Sequence, residues 1–352
     1  MERIKFIDGF RGLAILLVIF FHAFTKWTEL VPYGNIYSDF VVFHYGWLGV
    51  QLFFLISGFV ILMTLEKCVS FKEFIVRRWL RLFPAMLIVS VIILLTARFL
   101  PERPRGIPSF IDIIPGLLFL EPTWISRLLH LNQGILEGTF WSLFVEFKYY
   151  IIFGLLYFIL GKWKSVGAIF LLFLVAFIAN TLAGFVDFPF IIFIKNGFFQ
   201  LSFLHFGWFA TGSLMYLWFK ENNSRILYMA IFVGLLSVLS LDNGSFLPAL
   251  SILIVFVIAV VIKVVRKFFD NKFFVYLGFI SYPLYLMHEN AMIALIIKIH
   301  RYIGFIPAYL LPVVPVLGLI LLSDVIVRYA EPLLKNRLKF LLFKTRIVNK
   351  LN

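Results

Sequence analysis

The chain holds a single cysteine, Cys68, in 352 residues, which leaves no second thiol for an internal disulfide and no cluster for a thiolate metal site. Charge is scarce as well: 14% of the residues are charged and 62% are hydrophobic, proportions that exclude an ordinary soluble globular protein. Acidic residues are the scarcer sign, 18 against 32 Lys and Arg, for a formal net charge of +14. Such an excess can mark a nucleic-acid partner. Here the basic residues fall in short clusters between apolar stretches, a topology signal that argues for membrane lipid and against nucleic acid. None of the six histidines pairs with another at the i, i+4 spacing of a zinc-binding helix, so no metal is expected. There is also no internal repeat, no low-complexity linker, and no small-residue cleavage site after the first apolar segment. That segment carries Arg11 and His22 and reads as retained.

What is abundant is long apolar sequence. Stretches able to span a bilayer lie near residues 10–28, 46–65, 82–100, 141–161, 166–186, 201–219, 226–242, 247–265, 275–298 and 307–329. The expected fold is therefore all-α, a polytopic membrane bundle of about ten helices. The 45 Phe serve as lipid-facing and packing groups within it. An even number of spans puts both termini on one side. With that side cytoplasmic, its loops and tails hold 22 Lys or Arg against eight on the other face, as the positive-inside rule requires. The longest outer segment, residues 101–139, opens with PERPRGIPS and includes IDIIPGLLFL, too short to cross and expected to be interfacial or re-entrant. Its Arg103 and Arg105, with Arg98 and Arg127, are expected to be solvated loop charges. The organisation predicted is a membrane domain over residues 1–334 and a basic cytoplasmic tail over 335–352, suited to lie on anionic lipid.

Ionisable residues inside apolar sequence are costly and read by default as functional. In FRGLAILLVIFFH, Arg11 and His22 are eleven residues apart, which on a helix returns to within about 20° of the starting face after a rise of roughly 16 Å. In GVQLFFLISGFVI, Gly49, Ser57 and Gly58 among large side chains predict a tight helix crossing. FIVRRWLRLFP puts Arg77 and Arg81 on one helix face with Arg78 beside them, three guanidiniums able to hold a polyanion or simply to anchor in lipid phosphates. GTFWSLFVEFKYY places Ser142, Glu146 and Tyr149 at successive turns, and Glu146 falls at a depth where it could orient the His22 imidazole or pair with Lys148 or Arg11. In GFISYPLYLMHEN, Pro283 is expected to kink or break the helix, with Tyr285, His288 and Glu289 following. Tyr149, Tyr285 and His288 are the candidates to line a substrate. A helix-bonded structural role for His288 is the alternative.

In order along the chain, DGFRGLAILLVIFFH, GVQLFFLISGF, RRWLRLFP, TFWSLFVEFKYY, ISYPLYLMH and the late Glu331-Pro332 resemble the acyltransferase 3 family of integral membrane proteins, including its O-antigen and exopolysaccharide O-acetyltransferases. The resemblance covers most of the chain. It implies a transmembrane acyltransferase of a bacterial plasma or inner membrane that moves an acyl group, acetyl first, from cytoplasmic acyl-CoA to a hydroxyl of a cell-surface glycan or its lipid-linked precursor. It implies Arg11 and His22 as the catalytic pair, with Ser142 and Glu146 beside them, and Arg77, Arg78 and Arg81 as the acyl-CoA site. Gln51 stands where an acidic residue is common in the family, and Lys148 adds an intramembrane cation. No stretch matches the hydrolase-like domain of longer relatives, so the expectation is that the bundle itself completes the transfer. The competing class is a proton-coupled transporter or exporter of a small anionic or sugar-like substrate, which would use the same intramembrane Arg, His and Glu. The absence of repeated halves and the cytoplasmic arginine cluster weigh against it.

Overall fold

A computed structural model describes residues 4–130 and 133–348, and among these every regular element is helical. Among the described residues, eight helices are long and apolar enough to cross a membrane: Lys5–Lys26, Gly46–Leu65, Phe71–Phe99, Gly138–Leu160, Lys162–Leu182, Asn243–Val261, Lys272–Tyr302 and Ala308–Leu342. A ninth is reached if Pro189–Gln200 and Phe203–Glu221, bent by 71° at their junction, count as one span. Two of the ten expected spans are thus altered. The stretch at 201–219 is interrupted at its start by Ser202, whose φ of 63° is left-handed and stops the preceding helix. The stretch at 226–242 forms only Ser224–Leu239, and 16 residues reach about 24 Å, short of a hydrocarbon core of roughly 30 Å.

The described residues divide into two compact units, one through residues 4–18, 45–75 and 142–277, the other through 19–44, 76–141 and 278–348. In the first, helix Gly49–Leu65 crosses helix Phe206–Glu221 at backbone contact distance. A Cβ at Gly58 would fall on the carbonyl of Phe209, and one at Gly212 on that of Leu55. Each glycine is therefore required by the other helix's backbone, the small-residue packing that the GVQLFFLISGF string predicted. Ser213 Oγ ties the crossing by donating to the Gly58 carbonyl at 3.0 Å. Phe209 then stacks on Phe54 and Tyr149 with centroids 4.7 and 4.1 Å apart.

In the second unit, the segment 99–137 is fastened along the later half of helix Lys272–Tyr302. Arg301 pairs with Glu102 at 3.0 Å, and Lys298 donates to the Phe99 carbonyl. IDIIPGLLFL forms a short turn, Phe110–Asp112, and the six-residue helix Ile113–Leu118, closed by left-handed Phe119. Helix Lys272–Tyr302 runs unbroken through Pro283, contrary to the expected break, as helix Phe71–Thr96 does through Pro84. Loss of one N–H is tolerated where the rest of a long ladder is kept. The predicted boundary between domain and tail, 334/335, falls inside helix Glu331–Val348, and the tail's residues 349–352 lie outside the described ones.

Candidate active site

His22 opens a five-residue π turn, His22–Lys26, at the end of helix Lys5–Phe21. Such a turn adds a residue to the helical circuit and recurs at functional sites. The side chain is buried in the second unit beside two consecutive buried residues of helix Lys272–Tyr302, His288 and Glu289, which Asn290, also buried, follows. His22 Nδ1 and His288 Nε2 are 3.2 Å apart, with ring planes at 80°. His22 Nε2 faces Glu289 Oε1 at 3.6 Å, a charge-pairing distance longer than a good hydrogen bond.

Glu289 is held from its other side. Its Oε2 accepts from the backbone N–H of Thr139 at 3.1 Å. Thr139 in turn crosses to Tyr285: its Oγ1 donates to the Tyr285 carbonyl at 3.3 Å, and the Tyr285 hydroxyl donates to the Thr139 carbonyl at 3.1 Å. Gly138 makes this approach possible, because a Cβ there would lie 2.7 Å from Glu289 Oε2 and 3.0 Å from Arg105 Nε. Gly138→Ala is expected to push the carboxylate away from His22 and to lower turnover by up to about 10²-fold while the protein still inserts. Acyl transfer by membranes holding equal amounts of each protein measures this.

The segment that carries Gly138 and Thr139 is locked by a buried charge network. Arg103 Nη2 donates to Glu137 Oε1 and to the Leu136 carbonyl, both at 3.0 Å. Asn290 donates from Nδ2 to Glu137 Oε2 at 2.5 Å and accepts from the Arg105 backbone N–H at 3.1 Å. Arg103 is 4% exposed and Glu137 fully buried, so Arg103 is no solvated loop charge. Its carboxylate partner lies 34 residues further along the chain, beyond the reach of local sequence. Arg98, Arg105 and Arg127 are exposed as expected. Burial pushes the Glu137 carboxyl up to about 8, opposed by the Arg103 guanidinium and raised further by Glu289.

The remaining sequence-predicted residues divide between the units. In the second, Arg77, Arg78 and Arg81 lie on helix Phe71–Thr96, with Arg81 over the Tyr282 ring and 3.7 Å from Glu331. The RRWLRLFP, ISYPLYLMH and Glu-Pro strings thus meet at one guanidinium. In the first, Arg11 pairs with Asp8 at 2.8 Å. Glu146 accepts from Ser57 Oγ and from the Tyr150 hydroxyl, the latter at 2.6 Å. Ser142 is buried, and Tyr149 is buried with its hydroxyl 3.2 Å from Ser213 Oγ. Lys148 finds its partners at a helix end, donating to the Gln200 carbonyl at 2.6 Å and to Ser202 Oγ at 3.0 Å. Glu137, Asn290 and Thr139 were not singled out from sequence, and Arg103 was read only as a loop charge. The carboxylate beside His22 is that of Glu289, which sequence placed only as the neighbour of His288.

A family profile described as an acyltransferase domain matches residues 4–326. Among curated relatives, "Putative O-acetyltransferase SACOL0978" of Staphylococcus aureus strain COL is 29% identical over 88% of this chain and 54% of its own. "O-acetyltransferase OatA" of Staphylococcus aureus strain NCTC 8325 is 30% identical over 49% of this chain and 28% of its own. The chain thus spans about half the length of the curated relatives it matches most fully. No solved structure gives a significant match. With the family's motifs in order and its profile covering nearly the whole sequence, the chain belongs to the acyltransferase 3 family.

Proposed function

We propose that this multi-pass membrane protein is an O-acyltransferase that takes an acyl group, acetyl first, from cytoplasmic acyl-CoA and delivers it to a hydroxyl of a cell-surface glycan or its lipid-linked precursor. The observation that carries the reading is the buried imidazole of His22 set between His288 and Glu289. An imidazole with a carboxylate at charge-pairing distance has the means to take a proton and hold the cation that results. In the step proposed, the acceptor O–H gives its proton to His22 and the oxygen attacks the thioester carbonyl. The C–S bond then breaks, and the departing thiolate takes that proton back. Direct acylation of His22, followed by transfer to the hydroxyl, is the covalent variant of the same chemistry.

Arg77, Arg78 and Arg81 are the proposed grip on the phosphates of coenzyme A, and Arg81 is held for it by the Tyr282 ring and Glu331. Arg81→Ala is expected to raise the KM for acetyl-CoA about tenfold or more with a smaller change in kcat, read from initial rates against donor concentration. Arg11, Ser142 and Glu146 keep the catalytic roles, and Tyr149, Tyr285 and His288 the substrate-lining roles, that sequence and family likeness suggested. The proposed topology is that of a bacterial plasma membrane protein with both termini cytoplasmic and its basic tail on anionic lipid; eight long helices support the multi-pass reading, and ten crossings would need the bent pair as a ninth and the shorter Ser224–Leu239, set in locally thinned bilayer, as a tenth. Incubating membranes that contain the chain with labelled acetyl-CoA tests the whole reading. Protein-dependent label on a saccharide or lipid-linked saccharide supports it, and labelled coenzyme consumed by no such product, at any acyl length, ends it.

A further inference from the structure

We infer that His288 is a positioning residue that decides which nitrogen of His22 does the chemistry, by fixing its neighbour's tautomer through a relay that starts at a backbone carbonyl. The inference rests on the proposed role of His22 for its consequence in catalysis, and on geometry alone for the tautomer. The Tyr285 carbonyl can only accept, and His288 Nδ1 lies 3.0 Å from it, so the His288 proton sits on Nδ1. In the neutral ring the other nitrogen then has only a lone pair to offer. That nitrogen, Nε2, is the one 3.2 Å from His22 Nδ1, so His22 must be the donor. The rings meet edge to face, 80° apart, which brings the nitrogen edge of one toward the other rather than laying the two faces together. His22 is thereby protonated at Nδ1, and its neutral form carries the reactive lone pair on Nε2, the nitrogen that faces Glu289.

This assigns a division of labour. Nε2 of His22 is the atom that takes the acceptor proton or the acyl group, and Nδ1 is committed to His288 throughout. When Nε2 is protonated, the ring becomes a double donor. Its second N–H points toward Glu289, whose other oxygen is pinned by the Thr139 amide and which therefore need not reorganise. Because the chain of donors begins at a main-chain oxygen of the same helix, it does not invert unless that helix turn opens. His288 touches neither reacting atom in this scheme. It acts through His22, as the partner of a base does when it selects the tautomer.

The test uses nitrogen NMR of the full chain, labelled at histidine and held in lipid nanodiscs, together with initial rates of label transfer from acetyl-CoA in membranes. The His22 resonances are assigned by their loss in His22→Ala. Glutamine at 288 can place an amide oxygen where Nε2 was and keep accepting from His22, whereas leucine cannot. The expected result is an Nδ1-protonated His22 in the native chain and in His288→Gln, and a loss of that single tautomer in His288→Leu. In His288→Leu kcat should fall on the order of 10²-fold with KM for acetyl-CoA within about twofold, and His288→Gln should recover most of that loss. A native His22 protonated at Nε2 and bare at Nδ1 overturns the inference. So does a His288→Leu protein that inserts and turns over at the native rate. If no acyl transfer is found at all, the proposed function falls, while the nitrogen spectrum still decides the relay.

Discussion

Replacing His22 by alanine should abolish acyl transfer, lowering kcat by roughly 10²- to 10⁴-fold, the range that a positioned acid-base group supplies. The size of the effect follows from the surroundings. His288, Glu289 and Asn290 are buried with it, so no solvent base stands ready to replace the imidazole. The substitution deletes both the proton acceptor and the only candidate nucleophile that the proposal names, so retained activity would end the two roles together. Donor affinity supplies the control. If the arginines on helix Phe71–Thr96 hold coenzyme A independently of the chemistry, acetyl-CoA should still bind the alanine protein with an affinity within about threefold of the native one. An alanine protein that inserts, binds donor and transfers label at the native rate would remove His22 from the mechanism.

The second large effect is expected from Arg103→Met, and its dependence on pH identifies its cause. Glu137 has an ordinary carboxyl value when the chain is unfolded and one of about 8 when it is folded. The folded state thus binds this proton more tightly, and the stability tied to it is complete below the unfolded value and is lost as pH rises through about 8. As pH falls below about 8 the carboxyl increasingly takes up its proton, and the loss of Arg103 then weighs mainly through the hydrogen bonds that it makes. At pH values near 9 the native chain has an ionised, paired carboxylate, whereas the variant must bury a lone charge or keep it protonated against solvent. Breaking one half of a buried pair costs about 3 to 5 kcal/mol, so the melting temperature of Arg103→Met should fall well below native at the higher pH and much less at the lower one. The double variant Arg103→Met, Glu137→Gln should recover most of the loss at high pH. Equal destabilisation at both pH values would show that the pair is not what holds the segment 99–137.

The two networks were legible in the sequence to very different degrees. Apolar runs foretold the long helices, because length and hydropathy alone decide whether a segment can cross a bilayer. They did not foretell the bend before 203–221 or the shortness of Ser224–Leu239, since hydropathy says nothing of where a backbone turns, and Ser202 interrupts a stretch that is apolar on both sides. His22 and His288 stood out as imidazoles in hydrocarbon sequence, and Arg81 as a member of an arginine cluster at its edge. That His22 and His288 meet was not legible, because a contact across 266 residues leaves no periodicity to read. Pro283 carried a local signal that the tertiary fold overrode. Arg103 was hidden most completely. PERPRGIPS has the composition of a solvated turn, and only the buried carboxylate of Glu137 reveals that one of its arginines faces inward.

In a regular α-helix each amide answers the carbonyl four residues behind it, and the screw repeats without a seam. At His22–Lys26 the bond reaches one residue further, so everything after Lys26 lags the preceding helix by about one step of rotation. The imidazole therefore stands where helical symmetry lapses. Upstream, the chain can obey the strict periodicity that a long apolar rod demands, and downstream it can wind into the 27–40 loop, where the Tyr33 hydroxyl donates to the carbonyl of Ala23 inside that same seam. A phase slip of this kind lets one residue be aimed without redesigning the rod that delivers it.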